Sequence, residues 1–328
     1  MHLNDQDMGG VVISVIICTW NRADMLRKTL ASLSGQVYAK PAEVIVVDNN
    51  SNDHTHAVVA ELEAAWPLGS LIYLYEPRQG KQFALNKGIE SAKGSILAFS
   101  DDDIVFPPDW LSSIDNIFLS KSVELIGGKT LVQWPHGQKP KWYDKRLGAV
   151  LGSVDRGNDS ILSPGNCYAP QGANMAVRKI VFSRVGLFSE GHFRHMDQEF
   201  GSRCADSGVS ISYEPSMVVH APASPECLTK RYFRRWAYKS GIDFNSTNAI
   251  KKKDSFGLSP LWVYRQIVED EWAICGAYIA GKGDQYFWRE FRMWRNFGTV
   301  VSAALVTLRG RHYAEWVKEK AQKKNDLY

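Results

Sequence analysis

The sequence predicts an α/β fold, a parallel sheet joined by right-handed crossovers, followed by a helical appendage. Three observations carry this expectation. The run at 11–18 is β-branched and almost uninterrupted, as a strand buried on both faces should be. Strand-like and helix-like segments then alternate at short spacing, which calls for parallel neighbours and crossover helices. Three strand ends are strongly polar, and in such sheets ligands bind beyond the carboxyl ends of the strands.

The first strand, 11–18, ends in Thr19-Trp20-Asn21-Arg22, and the helix after it shows Met25, Leu26, Leu30 and Leu33 on one face. The second, 43–47, ends in Asp48-Asn49-Asn50-Ser51-Asn52-Asp53. A helix over roughly 56–65, a strand at 71–75 and a helix over about 82–91 follow. The apolar run 95–100 then delivers Asp101-Asp102-Asp103. Neighbouring carboxylates repel and lose hydration when partly buried, so the triplet calls for a compensating cation. Mg²⁺ or Mn²⁺, keeping waters and substrate phosphates as further ligands, suits such oxygen donors. The triplet can also be read as a polar loop capping the helix that starts near Asp109. Three coincident polar tips favour a shared nucleotide-type ligand over ordinary turn chemistry.

At 328 residues and 45% hydrophobic, the chain accommodates a large α/β domain with an appendage. Its net charge of +4 conceals an asymmetry: residues 1–226 carry 20 Lys/Arg against 25 Asp/Glu, and residues 227–328 carry 19 against 10. The basic surface therefore belongs to the last third. Five scattered cysteines, Cys18, Cys167, Cys204, Cys227 and Cys275, contain no CxxC pair, which argues against a disulfide framework or zinc site and for a reducing compartment. The run at 11–18 is short and follows acidic residues, so it reads as a strand and not a secretory leader.

The ordered succession Val15-Ile16-Ile17-Cys18-Thr19-Trp20-Asn21-Arg22, Val46-Val47-Asp48-Asn49-Asn50-Ser51-Asn52-Asp53 and Asp101-Asp102-Asp103 resembles the opening of a glycosyltransferase family 2 domain. The similarity continues through Gln171-Gly172-Ala173-Asn174-Met175-Ala176, Met196-Asp197-Gln198-Glu199-Phe200-Gly201-Ser202-Arg203, and Tyr213-Glu214-Pro215 leading to His220. It implies a GT-A fold, Rossmann-like with a mostly parallel mixed sheet flanked by helices, over 1–225. Residues 11–110 would form the nucleotide-sugar half and 111–225 the acceptor half, with a basic, Trp-rich helical region at 226–328. It also implies inverting sugar transfer from a nucleotide diphosphate donor with a divalent metal, Mn²⁺ or Mg²⁺.

Carried over residue by residue, the family's Asp-any-Asp motif falls on Asp101 and Asp103, with Asp102 between them. Asp103 is then the metal ligand, and Asp101 faces the ribose or reaches the metal through water. Thr19, Trp20, Asn21, Asp48 and Asn49 fall to base and ribose recognition, although Trp20 can equally pack on the next helix. Many members carry acid where this chain has Asn49, which leaves the nucleobase open. Arg78 and Lys81 lie where cations meet a diphosphate, or are solvated surface charge. Gly172, Ala173 and Asn174 match the small-residue segment lining the donor sugar. Asn86 matches a helix position of structural or binding character. Asp197 aligns with the catalytic base, a carboxylate that takes the acceptor hydroxyl's proton on the face opposite the leaving group. Glu199 is the alternative, or else pairs with Arg203 one helical turn away. Met196 stands where the family usually has Glu, which puts acceptor specificity in doubt. His220 completes the metal site or is structural.

The irregular stretch 133–164 reads as a lid over the acceptor cleft or a variable surface excursion. Beyond 225, Trp236, Trp262, Trp272, Trp288, Trp294 and Trp316 mingle with Arg231, Arg234, Arg235, Lys251, Lys252, Lys253, Arg289, Arg292, Arg295, Arg309 and Arg311 in a helical pattern. Trp with Arg and Lys is what an interfacial helix presents to anionic lipid. Residues 297–308 are apolar but too short, and too interrupted by Gly298, Thr299 and Ser302, to span a bilayer. The expectation is peripheral contact with the inner face of the cytoplasmic membrane, suiting a glycan or lipid-linked acceptor, against a packed appendage with aromatic core. No nucleic-acid module accompanies the charge. Two rival functions are nucleotidyl transfer on a similar sheet and a catalytically silent scaffold that binds membrane or glycan.

Overall fold

The computed structural model describes residues 12–163, 169–190, 196–247, 255–256 and 259–309. Strand β1 (Ile13–Thr19) is buried along its whole length, and its side chains alternate between two cores. Ile13, Val15 and Ile17 join Leu26, Leu30 and Leu33 of helix α1 (Ala23–Ser34) in one core. Ile16 and Cys18 join the other, with Ala84, Leu85 and Ile89 of helix α3 (Lys81–Ser91). A strand with helices on both faces has no polar side to show, which is why its sequence is continuous rather than alternating.

Strands β2 (Ala42–Asp48), β3 (Gly69–Tyr75) and β4 (Ile96–Asp101) are parallel to β1, and helix α2 (Thr55–Glu63) connects β2 to β3. After helix α4 (Trp110–Ser120) come β5 (Leu125–Gln133), β6 (Ile161–Ser163), β7 (Asn174–Arg178), helices α5 (Ile180–Val185) and α6 (Met196–Asp206), and the long strand β8 (Ile211–Pro222). The sheet order is β3-β2-β1-β4-β7-β5-β8-β6. Its first four strands are parallel, β7 runs antiparallel to both neighbours, and β5 and β8 are parallel to each other. The mixed α/β sheet expected from the sequence is therefore present.

Asn174 and Gly128 lock the middle of this sheet. Asn174 accepts from Trp110 Nε1 (2.9 Å) and donates to the carbonyls of Met217 (2.9 Å) and Lys129 (3.1 Å). A Cβ at Gly128 would collide with the Met217 carbonyl and the Asn174 amide, so glycine is needed for this approach. Asn174→Ala would leave three buried polar groups without partners. It should cost about 2–4 kcal/mol of stability in denaturant unfolding. A loss near zero would contradict this role.

Chain contacts divide the protein into two compact units, 1–133 with 152–222 and 134–151 with 223–328. In the second, helices α7 (Lys230–Thr247), α8 (Leu261–Ile279) and α9 (Phe287–Arg309) join the 3₁₀ segment Lys145–Leu151. Its core holds Leu147, Val150, Phe233, Ala237, Phe287 and Phe291, with Trp142, Tyr143, Trp236 and Trp288 packed against it. Much of the stretch read as a cleft lid is thus built into this helical unit, and its end at 161–163 is strand β6. The interruptions in the apolar run of α9 serve helix packing. Thr299 Oγ1 donates to the Gly241 carbonyl (3.3 Å) and Ser302 Oγ to that of Ile242 (3.2 Å). No helix among the described residues is long and apolar enough to cross a membrane. Val11, Pro164, Cys167, Lys251, Lys252, Lys253, Arg311 and Trp316, to which the sequence reading gave places, lie outside the described residues.

Candidate active site

Strand register gathers the three polar tips. Thr19 pairs with Asp48 across β1 and β2, and Cys18 pairs with Asp101 across β1 and β4. Beyond the strands the first two tips are laced together: Asn21 N–H donates to Ser51 Oγ (2.9 Å), and Asn21 Oδ1 accepts from the Asn52 N–H (2.7 Å). Asn21 and Asn50 hold positive φ (52° and 68°), a region Asn tolerates better than most side chains. Trp20, immediately before Asn21, is half-buried at the β1 tip.

The three carboxylates divide their work. Asp102 is buried and accepts from Thr19 Oγ1 (2.7 Å) and Arg22 (3.1 Å), while its carbonyl accepts from Thr29 Oγ1 (2.8 Å). It fastens β4 to β1 and α1. Asp101 pairs with Lys81, and the more exposed Asp103 with Arg22 (3.2 Å). Burial, then repulsion from Asp101 and Asp102, pushes Asp103 up to about 6 against the opposing charges of Arg22 and Lys81. Asp102 is raised as well, by burial first, with Arg22 opposing. Burial would lower Lys81, but Asp101 outweighs it and holds the ammonium charged. Burial also pushes the Cys18 thiol up to about 12, so this sulfur is an inert core group and no nucleophile.

The residues expected to meet a nucleotide are pre-bonded to protein. Asp48 accepts from Ser51 N–H (2.9 Å) and Tyr73 O–H (2.7 Å). Asn49 turns inward, donating to the Arg78 carbonyl (2.7 Å) and accepting from Gly80 N–H (2.8 Å), so it shapes the 76–80 turn instead of offering its amide to a base. Arg78 is held by buried Glu76 and by Glu190, and stacks on Phe83. Asn86 bonds both backbone polar groups of Phe188, the structural reading of that position. Asn174, expected to line the donor sugar, points its amide into the sheet interior as described above.

A short relay joins the triplet to Asp197. Ser100, the residue before Asp101, donates to the Ala173 carbonyl (3.0 Å), and the next N–H back, Gly172, donates to Asp197 Oδ2 (3.2 Å). Asp197 Oδ1 accepts from Gln198 N–H (2.9 Å) at the start of α6. A Cβ at Gly172 would meet nothing within 4 Å, so this turn borders open space. Glu199 is occupied by Arg203 through two bonds (2.5 and 3.0 Å), and Arg203 also donates to the Val185 and Leu187 carbonyls. Of its two sequence readings the structure shows the ion pair. Met196 packs against the hydrophobic core.

His220 is brought beside the chain leaving the triplet by an irregularity in β8, where pairing with β5 jumps from Gly128↔Glu214 to Lys129↔Val218. Val105 and His220 then exchange backbone bonds (2.8 and 2.9 Å). Among the described residues, no three His, Cys, Asp or Glu side chains gather as a cation cage.

The sequence pattern of Glycosyl transferase family 2 matches residues 14–167, the span that carries all three polar tips. The glycosyltransferase AglE of Haloferax volcanii is 29% identical over 255 residues, 76% of this chain and 79% of that protein. The chain carries a glycosyltransferase family 2 domain over residues 14–167. The glucosyl-dolichyl phosphate glucuronosyltransferase of the same organism is 24% identical over 192 residues, 57% of this chain and 58% of that protein. The mannosyltransferase PcManGT from Pyrobaculum calidifontis, solved with GDP-Man and Mn²⁺, superposes with a TM-score of 0.55 at 18% identity, over 93% of this glycosyltransferase and 90% of that chain. The fold is GT-A.

Sequence reasoning passed over Arg22, the cation shared by Asp102 and Asp103; the signal was a lone arginine ending the first polar tip. The raised pKa of Asp103 has a checkable sign. A carboxyl that binds its proton more tightly when folded favours the folded state while protonated. That contribution is lost as pH climbs from about 4 to about 6. Without divalent cations, the wild-type Tm should therefore fall relative to Asp103→Asn across this window. Parallel Tm curves would contradict it.

Proposed function

We propose that this glycosyltransferase moves a sugar from a nucleotide diphosphate donor to a hydroxyl of a glycan or lipid-linked glycan, in polysaccharide or glycolipid assembly, with inversion and with a divalent metal. The observation that carries the reading is the relay from Ser100 through Ala173 and Gly172 to Asp197. It ties a carboxylate outside the sheet to the backbone beside the acidic tip.

Asp197 is assigned as the base, accepting the acceptor's hydroxyl proton at its carboxylate as the oxygen attacks the anomeric carbon. Glu199 is a positioning residue that holds Arg203 and, through it, the 185–187 turn. Thr19, Trp20, Asn21 and Asp48 form the nucleotide side, with Asn49 shaping the neighbouring turn. Gly172 and Ala173 leave room for the donor sugar.

The donor set suits Mn²⁺ or Mg²⁺. Asp101 and Asp103 supply hard oxygen, and Asp103, pushed up by burial first and then by repulsion from Asp101 and Asp102, is a carboxylate that a cation would stabilise. These two would hold the ion with His220 as a further ligand, and waters and diphosphate oxygens completing its shell. When bound, the ion would neutralise charge on the departing diphosphate. Lys81 and Arg78 would then face the diphosphate in exchange for their carboxylate partners.

Peripheral contact with the inner face of the cytoplasmic membrane through 226–328 completes the proposal, and the dolichyl phosphate relative supports a lipid-linked acceptor. Screening nucleotide sugars by thermal shift tests the reading. One donor should raise Tm with Mn²⁺ and far less with chelator. A chain that binds no nucleotide sugar would favour the silent scaffold.

A further inference from the structure

Helix α8 has apolar side chains on the face it buries and on the face it turns to solvent. Its inward face buries Val263 and Ala277 around a polar centre: Asp270 is fully buried and bonded by Arg292 (2.5 and 2.7 Å) and Arg289 (3.1 Å) of α9, and Gln266 accepts from Asn296 (2.9 Å). Its outward face carries an apolar stripe flanked by the exposed Arg265, Glu269 and Glu271. Leu261, Val268, Trp272 and Ile279 recur at helical spacing in one stripe, exposed by 59%, 53%, 77% and 89%, with Trp262 at its edge. A surface helix normally buries its apolar stripe and leaves its charges to solvent. Fixing a carboxylate between two guanidiniums inside sets the rotation of α8, so the stripe is held outward. An open hollow of about 610 Å³, lined by Leu261, Trp262, Tyr264, Arg265, Val268 and Glu269, adjoins it.

We propose that this outward face of α8 is the surface by which the glycosyltransferase lies on an anionic bilayer. The inference rests on the peripheral membrane contact proposed above and names the helix that makes it. Tryptophans at two points along an apolar stripe suit the boundary between headgroups and acyl chains. The exposed charges of α8 itself are Arg265, Glu269 and Glu271, so attraction to negative lipid comes from 227–328 as a whole, which carries 19 basic against 10 acidic residues. Among the described residues no helix can span a membrane, so contact is in-plane. A second copy fits less well, because one face of one helix offers far fewer than the roughly 20–30 residues per side of a stable protein interface.

The test is sedimentation of the full chain with vesicles of equal parts phosphatidylglycerol and phosphatidylcholine, against phosphatidylcholine alone. Wild type should partition to the anionic vesicles, and Val268→Glu/Trp272→Glu should lower that partition at least about tenfold. Both positions are exposed, so the variant should keep wild-type Tm and wild-type nucleotide-sugar binding in solution. A conservative control, Val268→Leu/Trp272→Phe, should retain most vesicle binding. If wild type and the Glu variant sediment equally with vesicles, the membrane reading stands and its assignment to α8 is overturned. If wild type ignores vesicles, both fall; a wild-type dimer that the Glu variant dissociates would assign the face to a second copy.

Discussion

Asp197→Asn should lower sugar transfer by about 10²- to 10⁴-fold, the usual worth of general-base assistance, and leave metal-dependent donor binding nearly intact. Asparagine keeps the shape and one acceptor oxygen, so the bond from Gly172 N–H can persist and α6 need not move. What disappears is the capacity to take a proton at neutral pH. Glu199→Gln separates the two acids of this segment. Its cost should appear first as lost stability, because Arg203 loses its charged partner while still serving the carbonyls of Val185 and Leu187. Turnover in Asp197→Asn equal to wild type would remove Asp197 as the base. A collapse of turnover confined to Glu199→Gln with unchanged Tm would transfer the role.

Asp103→Asn should abolish the Mn²⁺-dependent part of donor binding and lower turnover by roughly 10²- to 10³-fold, since a metal contributes several kcal/mol to the charge developing on a leaving diphosphate. The same substitution should leave the metal-free protein as stable as wild type at neutral pH or slightly more so. It removes a partly exposed carboxylate that burial and its neighbours already disfavour. Asp102→Ala should behave in the opposite manner. That side chain holds Thr19 and Arg22, and its loss should lower Tm before any metal is added. Titration with Mn²⁺ by calorimetry, alongside Tm, distinguishes the two. Equal metal affinity in Asp103→Asn and wild type would exclude Asp103 as a ligand.

The parts of this site legible in the sequence are those that depend on local pattern. Apolar runs ending in Thr19, Asp48 and Asp101 announce strands that stop where ligands bind, and the sheet aligns those ends by backbone register. The division of labour within the triplet was not legible, because it depends on Thr19 and Arg22, some eighty residues away. Asn49 and Asn174 look alike in sequence, as polar residues at strand ends. Only the turn at 76–80 and the approach of Gly128 to Met217 show that both amides are satisfied by the protein's own backbone. The tryptophans of the tail divide between buried and exposed positions. Trp236 and Trp288 pack with the core of the helical unit, whereas Trp262 and Trp272 face solvent because the polar contacts of Asp270 and Gln266 fix α8 the other way. Composition cannot assign a tryptophan to one face or the other; the rotation of its helix does.

The most direct test of the central claim is to follow the reaction with an accepted nucleotide sugar and acceptor by phosphorus and proton NMR. The account predicts nucleoside diphosphate released in step with a new glycosidic bond of inverted anomeric configuration, lost on chelation and in Asp197→Asn. Release of pyrophosphate, or a product of retained configuration, would contradict it.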